Sequence, residues 1–169
     1  MGKKVIVLLE KMVEDSEFLY PYLRMKEEGF DVVSVAPENK VYQGKGGMSF
    51  KPDKAFAEVK NEMFDAVVVP GGYAPDLWRR DADIVAFVRD HFQKGKIVAS
   101  ICHGPWLLIS AGIVKDRKVT GFFAIKDDLL NAGARYQAQD WVEDENLLSS
   151  TNPQTMLPMI KRLVEMLKE

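Results

Sequence analysis

The order of apolar runs along the chain predicts an α/β fold: a doubly wound, mainly parallel sheet with helices on both faces, in three layers. Three observations lead there. Four short runs, Lys4 to Leu9, Asp31 to Ala36, Ala66 to Val69 and Ile97 to Ala99, are rich in valine and isoleucine. They largely lack the strict polar alternation of a half-exposed strand, as a sheet covered on both faces requires. Between them lie stretches with apolar residues at helical spacing, and glycine or proline marks the joins at Gly29, Pro70-Gly71-Gly72, Gly95 and Gly104-Pro105.

Each element follows from local chemistry. Lys4 to Leu9 is the first strand. Ser16 to Glu28 is expected as a helix because Leu19, Tyr22, Leu23 and Met25 recur near helical spacing, Asp15 and Glu17 suit its positive end, and Gly29 stops it. Asp31 to Ala36 returns as the second strand. Val41 to Phe50 reads as a hairpin about Gly44-Lys45-Gly46-Gly47. Ala66 to Val69 is the next parallel strand, and a helix from Asp83 to Lys94, ended by Gly95, leads into Ile97 to Ala99. Trp106 to Ala111 then continues as a helix, Val119-Thr120 as a short strand and Ile125 to Ala132 as a helix. Asp140 to Ser150 reads as a hairpin turning at Glu143-Asp144-Glu145-Asn146, and Met156 to Lys168 as a closing amphipathic helix. No repeat or linker interrupts the order, so one domain is expected over residues 1–169.

Composition narrows the function. The net charge of −2 comes from 23 basic and 25 acidic residues that are interleaved throughout, so no basic stripe exists to neutralise a phosphate backbone. Nucleic acid is not expected as a partner. Val5 to Leu9 is shorter than the roughly seven apolar residues a signal peptide core needs, and no run approaches the roughly 18 of a membrane span. No membrane partner is expected. The single cysteine can form no internal disulfide, which suits a reducing, cytoplasmic location. One cysteine and two histidines give no zinc spacing, and no metal or cofactor is expected.

The chemistry centres on that cysteine. Ser100-Ile101-Cys102-His103-Gly104-Pro105 joins a strand to a helix with small residues two before and two after Cys102, the pattern of a nucleophile elbow. A thiol there faces the open N-terminus of the next helix, where free N–H groups favour thiolate. A packing cysteine has no reason to occupy such a turn, so Cys102 is the candidate nucleophile. The backbone N–H groups of Gly72 and His103 are the expected oxyanion hole, since glycine lets the backbone approach a substrate closely. The His103 ring is a candidate acid or base, although adjacent residues on a regular helix diverge. Glu14, past the first strand, is either a carboxylate at the helix end or a carboxyl that tunes the thiol by hydrogen bonding. Asp76 is either a turn cap or a partner for the site. His91 is expected at the surface near a helix end. No histidine follows His103, which excludes an amidotransferase-like triad with a downstream histidine.

Val13-Glu14-Asp15, Tyr20-Pro21-Tyr22, Lys26-Glu27-Glu28-Gly29, Pro70-Gly71-Gly72, Ala74-Pro75, Ile101-Cys102-His103-Gly104-Pro105, Ile109-Ser110-Ala111-Gly112 and Asn131-Ala132-Gly133 together resemble the ThiJ/PfpI superfamily, most closely its intracellular protease PfpI branch. The resemblance covers essentially the whole chain. It implies a flavodoxin-like α/β/α sandwich, a nucleophile at Cys102 on a strained backbone, and a buried glutamate at Glu14. It further implies homo-oligomers, dimers or hexamers, with the active site near a subunit boundary. A carboxylate from the neighbouring subunit orients the histidine in that branch, and the matching residue here is Asp76, one methylene shorter than the branch's glutamate. Phe122 stands where some relatives carry tyrosine.

These readings converge on a cofactor-independent cysteine enzyme that attacks carbonyl groups, with peptides, small aldehydes or glycated groups as substrates. The competing reading is a redox sensor or stress-protective protein in which Cys102 is oxidised to a sulfinic acid without turnover.

Overall fold

The computed structural model describes residues 2–169. In chain order the elements are β1 (Lys4–Leu8), α1 (Asp15–Glu27), β2 (Asp31–Ala36), β3 (Tyr42–Gln43), β4 (Ser49–Phe50), β5 (Lys54–Ala55), α2 (Phe56–Val59) and β6 (Ala66–Val69). There follow α3 (Ala74–Trp78), α4 (Ala82–Gln93), β7 (Ile97–Ile101), α5 (Pro105–Ser110), β8 (Lys118–Val119), a 3₁₀ turn at Phe123–Ile125, α6 (Lys126–Asn131) and β9 (Arg135–Tyr136). The chain closes with β10 (Trp141–Asp144), β11 (Leu147–Ser150) and α7 (Met156–Lys168).

The main sheet has the strand order β10-β11-β7-β6-β1-β2-β5 and is parallel throughout except where β10 pairs antiparallel with β11. The expected three-layer sandwich is what forms. α1 and α7 touch each other on one face, while α4 lies on β6 and β7 on the other, against α5. The sheet centre explains the apolar runs: Val5, Ile6 and Val7 of β1 and Ala66 to Val69 of β6 are fully buried. Each buried Val or Ile side chain contributes about 1.5–3 kcal/mol, so the two strands anchor the core.

Most strand and helix boundaries agree with the sequence to within one or two residues, and β2, β6 and α7 agree at both ends. The structure adds β5, α2, α3 and β9, each of two to five residues, too short for any period to show. Pro75 sits in the first turn of α3, where its missing N–H is harmless. In α1, Pro21 cannot donate to the Glu17 carbonyl, which loosens the turn that carries Glu17.

His91 corrects an expectation. Its ring is not at the surface but 1% exposed, packed against Phe87. Nδ1 lies 2.7 Å from the Phe87 carbonyl and donates to it, so Nε2 is free to accept the Phe64 N–H at 3.0 Å. Burial holds its pKa below the usual histidine value. The unfolded ring takes a proton near pH 6.5 while the folded ring resists, so this contribution is complete above about pH 6.5 and declines as pH falls. His91→Gln is therefore expected to lose most relative to wild type at pH 7.5. Urea titrations should show that gap narrowing toward pH 5 by at most about 1.4 kcal/mol per pH unit. A gap independent of pH would mean the ring is not the titrating group.

Candidate active site

β6 and β7 are neighbours, so their carboxyl ends deliver Pro70-Gly71-Gly72 and Cys102 side by side, where ligands of open parallel sheets bind. The elbow is real: Cys102 has φ 60, in the left-handed region that costs a residue with a Cβ about 1–2 kcal/mol. Three backbone bonds stabilise it. The Cys102 N–H donates to the Ser150 carbonyl at 2.9 Å, Gly104 N–H to Ile101 at 2.8 Å, and Phe122 N–H to the Cys102 carbonyl at 2.8 Å.

That sharp turn also brings the His103 ring back over the thiol, with Nδ1 3.2 Å from Sγ. The divergence expected of helical neighbours does not apply, because Cys102 is not in a helical conformation. The ring is fixed by stacking on Phe122 and by the edge of Trp106, each with centroids 4.9 Å away. Burial lowers the His103 pKa, with Lys45 adding to the effect and Asp128 opposing it. At neutral pH the ring is therefore a neutral base.

The antiparallel bridge between Val13 and Gly72 uses the Glu14 and Tyr73 N–H groups as donors, at 3.2 and 2.9 Å, and leaves the Gly72 N–H outside the pairing. Among the described residues no backbone carbonyl accepts from Gly72 or His103. These are the two donors expected for an oxyanion. Met12 opposite them has φ 61, so the loop after β1 is strained at the same point.

The buried carboxyl is not Glu14. Glu14 lies at the start of α1, only partly buried, and pairs with Lys45 at 3.2 Å. One turn on, Glu17 is 0% exposed beneath the elbow. Its Oε1 accepts the Gly71 N–H at 2.9 Å, and its Oε2 is buried without an aligned partner. A Cβ on residue 71 would stand 2.6 Å from Glu17 Oε1 and 2.9 Å from the Cys102 Cβ, so only glycine lets carboxyl and thiol flank that point. The sequence carried a signal for Glu17, its i, i+3 relation to Glu14, which puts both on the face toward the site.

Burial raises the Glu17 carboxyl to about 8, with the charge of Glu14 adding and the Gly71 N–H opposing. Burial, and then the charge of Glu17, push the Cys102 thiol up to about 12, against the pull of the His103 N–H and the Lys45 ammonium. The helix N-terminus expected to favour the thiolate belongs to α5, which has only six residues, and desolvation outweighs it. At neutral pH Glu17 carries the proton, which removes its repulsion and leaves an O–H beside the sulfur.

Glu14, Lys45, Gly72, Tyr73, Cys102, His103 and Phe122 line a cavity of about 140 Å³. Asp76 is not among them. It sits on the outer side of α3, paired with Arg80. No group of three or more metal-ligating side chains gathers among the described residues, and no helix there is long and apolar enough to cross a membrane.

A family model described as the DJ-1/PfpI family matches residues 3–166. The chain is 43% identical to "Deglycase PfpI" of Pyrococcus furiosus over 98% of its own length and 99% of the relative's. It is 40% identical to "Protein/nucleic acid deglycase 2" of Escherichia coli, covering 96% and 95% of the two chains. Among solved structures, a two-domain protein of Anabaena variabilis containing DJ-1/ThiJ/PfpI-like and ferritin-like domains matches with a TM-score of 0.93 and 41% identity, over 98% of this chain and 48% of that one.

Proposed function

Because the chain belongs to the DJ-1/PfpI family, we propose that it is a PfpI-type cysteine enzyme whose substrates are small reactive aldehydes and the adducts they form on amines. The observation that carries this reading is the elbow itself: a thiol with a neutral imidazole 3.2 Å away, beneath two N–H groups that no backbone carbonyl takes up and beside a buried carboxyl. In the first step Sγ attacks the carbonyl carbon and the C=O π pair moves to oxygen, where the Gly72 and His103 N–H groups receive it. The thiol proton passes to His103 Nδ1. Glu17, protonated at rest, donates toward sulfur and can return a proton to the adduct.

Size favours small substrates. A cavity of about 140 Å³ accommodates the volume of four or five waters, at about 30 Å³ each, which suits a carbonyl compound of three or four carbons. A peptide would have to lie across the mouth.

A second copy of the chain completes the site in this reading. Among the described residues no carboxylate accepts from the His103 ring, which supports Asp76 of a neighbouring subunit as its orienting partner. We place the enzyme in the cytoplasm, where a lone thiol stays reduced.

Turnover of methylglyoxal, and release of free amine from its lysine adduct, should be lost in Cys102→Ala by at least about 10³-fold, the scale seen when a nucleophile is removed. Product formation at an equal rate in both proteins would exclude Cys102 as the nucleophile.

A further inference from the structure

Among the described residues Lys45 is the one cation lining the thiol cavity, and no step of the carbonyl chemistry above has it touch the substrate. It stands at the tip between β3 and β4, a tip with an unusual anchor. Asp15, 7% exposed at the start of α1, accepts the Gly46 N–H and, at 3.1 Å, the Met48 N–H. The Lys45 N–H donates to the Val13 carbonyl at 2.8 Å. A Cβ on residue 44 or 46 would fall 2.0 or 2.3 Å from the Asp15 carboxylate, so both flanking glycines are needed for the clasp to close. The backbone of Lys45 is thus tied on both sides to the base of α1. Only its side chain is free to choose a partner.

In the free protein that partner is Glu14, at 3.2 Å, with the lysine 49% and the glutamate 28% exposed. A pair this open to solvent is weak and readily exchanged. Glu14 and Lys45 share the cavity wall with Cys102, so a carboxylate on a molecule held at the sulfur would meet the ammonium in place of Glu14.

The geometry points to Lys45 as the residue that selects substrates bearing a carboxylate next to the electrophilic carbon, with Glu14 as the internal carboxylate that such a substrate displaces. The inference rests on the carbonyl reading for its substrate class, small 2-oxo acids and aldehyde acids. Its test does not depend on turnover.

Iodoacetate and iodoacetamide are nearly isosteric and react alike: Sγ–C forms, iodide leaves and the thiol proton goes to solvent. They attack the same sulfur, so the ratio of their alkylation rates at Cys102 cancels any change in thiol acidity and reports recognition of the carboxylate. Lys45→Met should lower the iodoacetate to iodoacetamide ratio by about fivefold or more at low salt. Lys45→Arg should keep it within about twofold of wild type, since the charge remains. Glu14→Gln, which removes the competing carboxylate, should raise it. A ratio unmoved in Lys45→Met, or lowered as much in Lys45→Arg, overturns the assignment. Wild-type turnover of glyoxylate and methylglyoxal is measured alongside. A Lys45-dependent ratio in a protein inert to both aldehydes upholds the recognition and overturns the carbonyl reading; turnover of methylglyoxal with a Lys45-independent ratio does the reverse.

Discussion

Glu17→Gln protein is expected to resist urea better than wild type, by a margin that grows with pH. The folded carboxyl is raised from 4.5 to about 8, so the folded state holds this proton more tightly than the unfolded chain does. The resulting stabilisation is complete below about pH 4.5 and is lost as pH rises through about 8, at up to about 1.4 kcal/mol per unit. Wild type therefore gives up on the order of a few kcal/mol across that window. Glutamine has the same shape, accepts the Gly71 N–H and never ionises, so it avoids the loss. Turnover should move the other way, falling by about 10²–10⁴, because an amide can neither give up nor retrieve a proton. Unfolding measured at pH 5, 7 and 9 decides the matter. A constant margin across the three values would show that Glu17 is not the buried titrating group.

Gly72→Ala is expected to combine a large loss of stability with loss of turnover, and Gly112→Ala separates the causes. Both glycines have nearly the same backbone, φ 72 and φ 71. A methyl at 112 meets nothing within 4 Å, whereas one at 72 would lie 2.4 Å from the Glu14 nitrogen and 2.5 Å from the Met12 carbonyl oxygen. Gly112→Ala should therefore cost only the left-handed conformation, about 1–2 kcal/mol, and leave turnover intact. Gly72→Ala adds a backbone collision that must push the strained Met12 loop away, tilting one oxyanion donor out of line. A misaligned donor of this kind lowers kcat by about 10²–10³. Equal losses of stability in the two variants, or full activity in Gly72→Ala, would refute the account.

The fold was legible because strands buried on both faces must be apolar throughout, and the runs at Val5 to Leu8 and Ala66 to Val69 say so without help from their neighbours. The elbow was legible for a similar reason: Gly104 and Pro105 after a lone cysteine have few other uses. The buried glutamate was not. Asp15 and Glu17 both suit the first turn of a helix, and that local explanation hid what each does at long range. Asp15 clasps a hairpin thirty residues on, and Glu17 reaches the glycine after β6. Choosing between Glu14 and Glu17 needs the rotation of α1 about its axis, which packing against the sheet sets. His91 was misplaced in the same way, since its fitness for the core depends on a backbone donor at Phe64 that no pattern around residue 91 reveals.

The hydrogen bond from Cys102 N–H to the Ser150 carbonyl carries a consequence for how the protein is made. β7 has β6 on one side and β11 on the other. On the ribosome the elbow therefore emerges long before the strand that holds it, and the loop after β1 waits as well for the turn after β6. A nascent chain can assemble β1, β2 and β6 early and still carry an unsupported cysteine turn. The left-handed turn at Cys102 gains that bond only once β11 has docked, so a product truncated before β11 keeps the thiol but lacks one of the three backbone bonds that hold its elbow.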